Sequence, residues 1–85
     1  KHFVDSLNLT VRPNFEKGGV IVIETDDDSK LIPGDIIIEI NREPVTTIDN
    51  FLELIETINK TGRNSLLLKI IRDEKSLWVT IKFHR

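Results

Sequence analysis

The first stretch in which hydrophobic and polar residues alternate is LNLTVR, at residues 7–12. Leu7, Leu9 and Val11 fall on one side of this alternation, and polar residues fall between them. A period of two residues is the pattern of a strand with one buried face. Pro13 cannot donate to a strand ladder, so it ends the strand or places it at a sheet edge. We therefore predict a half-buried strand here.

Two later runs, VIVIET at 20–25 and IIIEI at 36–40, are almost wholly apolar and β-branched. Such runs are typical of strands that are buried on both faces. The segments between the three predicted strands carry turn signals. FEKGG at 15–19 contains two glycines, and the loop at 26–35 contains a Pro-Gly pair.

The period then changes to that of a helix. Thr46 and Thr47 are both candidate N-caps, and Gly62 provides a stop. Between them, apolar residues recur at spacings of three and four, which predicts a helix over 47–59. These residues are Ile48, Phe51, Leu52, Leu54, Ile55 and Ile58. They span about 160° of the helix surface, whereas a stripe that faces a core needs about 100°.

This wide stripe leaves two interpretations open. In the first, Ile48, Leu52 and Ile55 form an edge that faces something other than the core. The remaining apolar residues, Phe51, Leu54 and Ile58, then face the core. In the other, all six are core residues of a small domain.

Two more strands are predicted after the helix, SLLLKIIRD at 65–73 and SLWVTIKF at 76–83. In the second strand the apolar residues at odd-numbered positions share one face. Trp78 lies on the other face, where it is exposed or packed on the outer side of the sheet. The predicted order is β-β-β-α-β-β. One helix cannot cover both sides of five strands, so we predict a mainly β fold with one long helix (α+β), a five-stranded curled sheet or partial barrel.

Length and composition narrow the class of protein. The chain has 85 residues, 39% of them apolar and 31% charged, which is ordinary for a globular domain, and we expect one domain over 1–85. A net charge of -2 does not suggest the basic surface of a nucleic-acid binder. No apolar run approaches the length of a membrane helix, so we expect no membrane insertion. Because the chain starts at Lys1, we expect it to be a piece of a longer protein.

No stretch carries a catalytic or metal-binding signature. The histidines, His2 and His84, lie at the chain ends, and no local sequence around a serine supports a catalytic triad. Three consecutive aspartates at 26–28 lack the alternating ligands, the glycine and the distal Glu of a calcium loop. The chain has no cysteine, which excludes thiolate metal sites. We therefore expect no catalytic residue, no metal site and no cofactor in this chain.

The stretch IPGDIIIEINREPVTTIDNFLELI, at 32–55, resembles the xPGDVIxxVNGxPVxxxxDLxxLL segment of bacterial PDZ domains. The predicted order of elements resembles their permuted form, in which the peptide-binding strand comes first. LTVRPN, at 9–14, is most similar to the second PDZ domain of HtrA/Deg-type serine proteases. The resemblance implies a PDZ-like fold and a parent trypsin-like serine endopeptidase, a hydrolase of the periplasm or cell envelope.

The resemblance also implies a binding site. SLNLTVRPN falls where the family has a carboxylate-binding loop and the strand that receives a peptide by β-augmentation, beside the helix. The implied partners are C-termini of peptides or unfolded proteins with an apolar last residue. The residues implied to bind them are Leu7, Asn8, Leu9, Thr10, Val11, Arg12, Ile48, Leu52 and Ile55. Backbone N–H groups of residues 7–9 would receive the carboxylate, and strand 9–12 would need one free edge.

Two departures from the family favour an alternative function. Asn8 stands where the family has glycine, and DDDSKL at 26–31 is shorter than the usual segment. Asn tolerates the left-handed backbone better than most residues, but its side chain crowds an incoming carboxylate. The alternative is an assembly module, which contacts neighbouring domains or subunits of the parent protease and holds an oligomeric cage together without tight peptide capture.

Overall fold

The computed structural model of the chain describes residues 2–16, 18–26 and 29–83. Its elements within these ranges are β1 (His2–Val4), a 3-10 helix (Asp5–Leu7), β2 (Leu9–Pro13), β3 (Val20–Glu24), β4 (Ile36–Ile40), β5 (Glu43–Pro44), α1 (Ile48–Lys60), β6 (Ser65–Arg72) and β7 (Lys75–Lys82). No helix in the same ranges has the length and apolar character that a membrane crossing requires.

The strands form one open antiparallel sheet in the order β1-β2-β3-β4-β6-β7, and β5 pairs with β4 outside this path. A strand is present at each of the five predicted places, and the helix lies between the third and the fourth of them. The predicted count of five is nevertheless wrong, because β1 and β5 also belong to the sheet. They contain three and two residues, too few to show a period of two in the sequence.

The hydrophobic core is built from the strands and one stripe of α1. Phe51 is fully buried and Ile55 is 3% exposed, and both lie in the middle of the stripe. The other four apolar residues of the helix lie along its two edges, half-buried against the core. Ile55, which one interpretation grouped with the outer edge, is thus buried, while Leu52 of the same group is half-buried. The stripe has a buried centre and two half-buried edges, because 160° of helix surface is wider than the sheet can cover.

The start of α1 is set by a reciprocal cap. Thr47 Oγ1 accepts a hydrogen bond from the Asn50 N–H at 3.1 Å, and Asn50 Oδ1 accepts one from the Thr46 N–H at 3.0 Å. The arrangement resembles a capping box in which Asn replaces the usual Glu or Gln. Of the two candidate threonines, Thr47 is the N-cap. The cap fixes where the helix begins and therefore which side chains face the sheet.

An ion pair between the buried Asp35 and the half-buried Arg72 holds the Pro-Gly turn against the sheet. Asp35, at the start of β4, is 1% exposed, and its oxygens accept hydrogen bonds from Arg72 Nε at 2.9 Å and Arg72 Nη2 at 2.7 Å. The Ile32 N–H donates to the same carboxylate at 2.9 Å. Hydrogen bonding to Asp35 raises the pKa of Arg72 above its ordinary value. Arg72 thus stays charged and links the turn to the end of β6.

We expect Phe51→Ala to lower the free energy of unfolding by about 3–5 kcal/mol, because it removes a buried ring and leaves a cavity. Leu54→Ala, at a half-buried edge of the same helix, is the matched control and should cost clearly less. Urea unfolding followed by circular dichroism measures both. Equal losses from the two variants would contradict the assignment of Phe51 to the centre of the stripe.

Candidate functional site

The edge of β2 that was expected to be free is occupied. β2 pairs with β3 on one side and with β1 on the other. The pairs with β1 are His2 with Val11, Phe3 with Thr10, and Val4 with Leu9. The expectation that strand 9–12 offers a free edge is therefore wrong in this structure. The edge of β2 on which an incoming segment would pair is already paired with β1.

A tight reversal at residues 5–8 brings β1 back along β2. The 3-10 helix ends at Asn8, which has left-handed φ and ψ values of 49° and 49°. The Asn8 N–H donates to the Asp5 carbonyl at 3.2 Å and closes the turn. Asn is among the few residues that adopt this conformation readily. The residue at the family's glycine position thus has the positive φ that a glycine would supply.

The backbone groups proposed to receive a carboxylate are partly engaged within this turn. The Asn8 N–H is hydrogen-bonded to Asp5, and Leu9 lies in the ladder opposite Val4. The Asn8 side-chain amide donates to the Asp26 carboxylate, in the segment that follows β3. The turn is therefore joined to its surroundings at both its backbone and its side chain.

The structure divides the predicted apolar pocket residues into two groups. Leu7 and Leu9 line a cavity of about 390 Å³ together with residues of the β3–β4 connection and the end of β7. Val11 is wholly buried in the core. Leu52 and Ile55 instead line an open depression of about 670 Å³ between α1 and the segment Phe3–Ser6. The residues from β2 and those from the helix therefore do not share one pocket while β1 is in place.

The remaining predicted site residues lie around the same groove. Thr10 is half-buried and Arg12 is exposed on β2. Ile48 is half-buried against the core at the first position of α1.

β1 lies where the ligand was predicted, beside strand 9–12 and the helix. It runs antiparallel to β2, and its residues line the depression with Leu52 and Ile55. Its last residue, Val4, is 6% exposed, whereas Phe3 is 58% exposed. β1 is not among the strands predicted from the sequence. The only signal was a short run, His-Phe-Val, placed before a residue that favours a left-handed turn.

The contacts that hold β1 are few. Burial of a valine side chain contributes about 1.5–3 kcal/mol, and each ladder hydrogen bond adds about 0.5–1.5 kcal/mol net. Ordering the three residues of β1 opposes this gain with a backbone entropy cost of about 1–2 kcal/mol per residue. β1 is therefore a short edge strand that contributes little to the stability of the sheet.

The described residues do not form a metal site. No three acidic or histidine side chains among them are grouped as ligands would be. Two of the three consecutive aspartates, Asp27 and Asp28, lie outside the described residues, as does His84. His2 lies in β1 with its side chain exposed.

We expect Asn8→Ala to lower the free energy of unfolding by roughly 1–2 kcal/mol, because a left-handed backbone strains a residue with a Cβ atom and no compensating hydrogen bond. Asn8→Gly relaxes the backbone and should cost less. Thermal unfolding of the two variants measures the difference. Equal losses for the two variants would mean that the side-chain bond to Asp26, which both variants remove, governs the turn rather than the backbone conformation.

Comparison with known proteins identifies relatives for nearly the whole chain. No family model matches it. A protein of Brucella suis is 30% identical over 87 residues, which cover 96% of this chain and 17% of the relative. One of Rhizobium meliloti is 32% identical over 80 residues, covering 88% and 16%. One of Bartonella henselae is 25% identical over 83 residues, covering 92% and 16%.

All three relatives are named as DegP-like periplasmic serine endoproteases. This agrees with the expected HtrA/Deg-type parent and with a periplasmic location. The chain spans only 16% or 17% of the length of these curated relatives. Over nearly its whole length, the chain is homologous to a short segment of the DegP-like serine endoproteases.

Proposed function

We propose that the chain is a PDZ-type domain of a periplasmic DegP-like serine endoprotease, and that it holds an extended protein segment in the groove between β2 and α1. In this role the domain positions protein substrates for a protease domain elsewhere in the parent, and takes no part in the chemistry. The observation that carries the proposal is the position of β1, which lies in this groove as a ligand would.

β1 has the features expected of a ligand of this groove. It adds to β2 in antiparallel register, it lies beside Leu52 and Ile55, and its buried last residue, Val4, is apolar. Added strands of this kind gain affinity from the main chain and specificity from alternate side chains. We infer that β1 is a built-in occupant, which an incoming segment of the same chemistry replaces.

The groove is closed directly after Val4. The 3-10 helix Asp5–Leu7 and the turn at Asn8 follow at that point. A segment that took the place of β1 would meet this turn one residue beyond Val4. The proposed ligand is therefore a chain end with an apolar last residue, rather than an internal segment that continues past the turn.

Exchange with β1 lowers the apparent affinity of the domain for such a ligand. The open groove is proposed to bind a peptide with a Kd of about 10–100 μM, or roughly -5.5 to -7 kcal/mol. The affinity of the native chain is lower than this, in proportion to the fraction of molecules in which β1 has left the groove. A docking free energy of about 1.4 kcal/mol for β1 already costs a factor of ten. The native chain is thus proposed to be a weak binder.

We expect Val4→Ser to raise the affinity for a peptide that ends in Phe-Val by roughly tenfold, because it loosens β1 without touching the groove. Phe3→Ser is the matched control: Phe3 is on the same strand but 58% exposed, so little change should follow. Calorimetric titration and amide shifts measure binding and location. Two glycines added after the terminal valine of the peptide should abolish its binding.

Leu52→Lys, made in the Val4→Ser chain, should remove binding and leave the fold intact, because Leu52 lines the depression and is only half-buried. A Val4→Ser chain that binds no better than the native one would mean that β1 is not the occupant of the ligand site. If neither chain binds at millimolar peptide, the groove has no ligand-binding role.

A second candidate function is the assembly role, which the pairing of β1 with β2 favours. A domain whose groove stays filled by its own backbone still presents surfaces to neighbouring domains or subunits of the parent. The peptide titrations separate the two roles, since an assembly module is indifferent to Val4→Ser.

A further inference from the structure

The two edges of the sheet differ in how they are protected. β1, at one edge, has only three residues. β7, at the other edge, has eight, and within the described residues it pairs with β6 alone. The register between β6 and β7 runs over all eight pairs without a shift, whereas the β2–β3 and β4–β6 registers each contain one. β7 is therefore a long and regular edge.

Two independent contacts show which backbone groups of β7 face outward. The Phe83 N–H donates to the Asn64 carbonyl at 2.9 Å, on the β6 side. Leu67 of β6 exchanges hydrogen bonds with Asn41, on the β4 side. The main-chain N–H and C=O groups of the even-numbered residues of β6 therefore point toward β7. Since main-chain groups alternate along a strand, the N–H and C=O groups of Ser76, Trp78 and Thr80 point away from β6.

This edge lacks the usual protection against pairing. Natural edge strands carry prolines, bulges or charges that block a second chain. From Ser76 to Ile81, β7 has no charged residue, no proline and no glycine. Trp78, in the middle, is 49% exposed. Lys69 Nζ lies 5.5 Å from the centre of its ring and 3.6 Å from Glu39, which holds the ring on the outer face of the sheet.

The charged residues next to β7 favour one register for a second strand that pairs with it. An antiparallel second copy with Trp78 opposite Trp78 joins outward-facing residues on both strands. It also places Glu74 of each copy beside Lys82 of the other. A shift of two residues one way carries Lys82 past Glu74 and beyond the hairpin turn that precedes β7, and a shift the other way brings the uncharged Ser76 opposite Lys82. Opposite charges across a ladder stabilise it and like charges destabilise it.

We propose that β7 is a self-association surface, on which two copies of this chain pair antiparallel about Trp78 and continue the sheet from one copy into the other. The contact is isologous, because each copy supplies the same strand. It uses the opposite edge of the sheet from β1 and does not depend on the peptide groove. Two domains joined in this way would link two parent molecules.

Sedimentation of the 85-residue chain tests the proposal. The average mass should rise from that of one chain, 9.8 kDa, toward twice that value over micromolar to millimolar concentrations. Trp78→Lys should weaken the association at least about tenfold, as expected for the central aromatic of an interface. Phe15→Lys is the control: Phe15 is 91% exposed but lies in the turn between β2 and β3, away from β7.

A charge exchange tests the register itself. Glu74→Lys and Lys82→Glu should each weaken the dimer, and the double variant should restore it, because each pair occurs twice across the two-fold axis. Amide spectra confirm that every variant is folded. A chain that stays monomeric throughout overturns the proposal. So does a dimer that Trp78→Lys leaves unchanged, or one that the double variant fails to restore.

Discussion

The constraint on which this domain depends is that an open sheet has two edges of backbone groups and one helix with which to cover them. α1 packs on the core face and covers neither edge. Unpaired N–H and C=O groups at an edge attract another strand. At one edge the chain supplies that strand itself, as β1. At the other edge, within the described residues, it supplies none. The two surfaces proposed for binding follow from this difference.

The turn at Asn8 determines how the chain occupies the first of these edges. Its left-handed backbone and its bond to Asp5 reverse the chain within four residues, from Asp5 to Asn8, and so lay β1 along β2. The same turn then closes the end of the groove. A residue that could not adopt a positive φ would leave β2 with a free edge and an open groove. The conformation of Asn8 thus places β1 along β2.

A small domain is suited to this kind of exchange. Net stabilities of folded domains are small differences between large terms, and three residues with one buried side chain contribute little to them. β1 can therefore leave its place at a low cost, while the core around Phe51 and the Asp35–Arg72 pair keep the rest of the sheet together.

Periodicity in the sequence was sufficient to predict the longer strands, the helix and its stripe, because each of these depends on side chains that repeat over two turns or several pleats. The resemblance carried by the segments at 32–55 and 9–14 agrees with the DegP-like relatives. The burial of Leu9 and Val11 agrees with that pattern, but the strand β1 and its pairing with β2 were not predictable in this way. Three residues show no period, and their partner is chosen by the geometry of a turn.

The sequence by itself determined which longer segments are strands and which face of each is apolar, and the family resemblance marked Asn8 as the residue at a glycine position. Only the tertiary structure decided which edges are paired, because pairing depends on where the chain returns in space and on which backbone groups are still unsatisfied there. For this reason the same residues, Leu9 to Val11, that a linear pattern marks as a receiving strand are found already paired with the chain's own first strand.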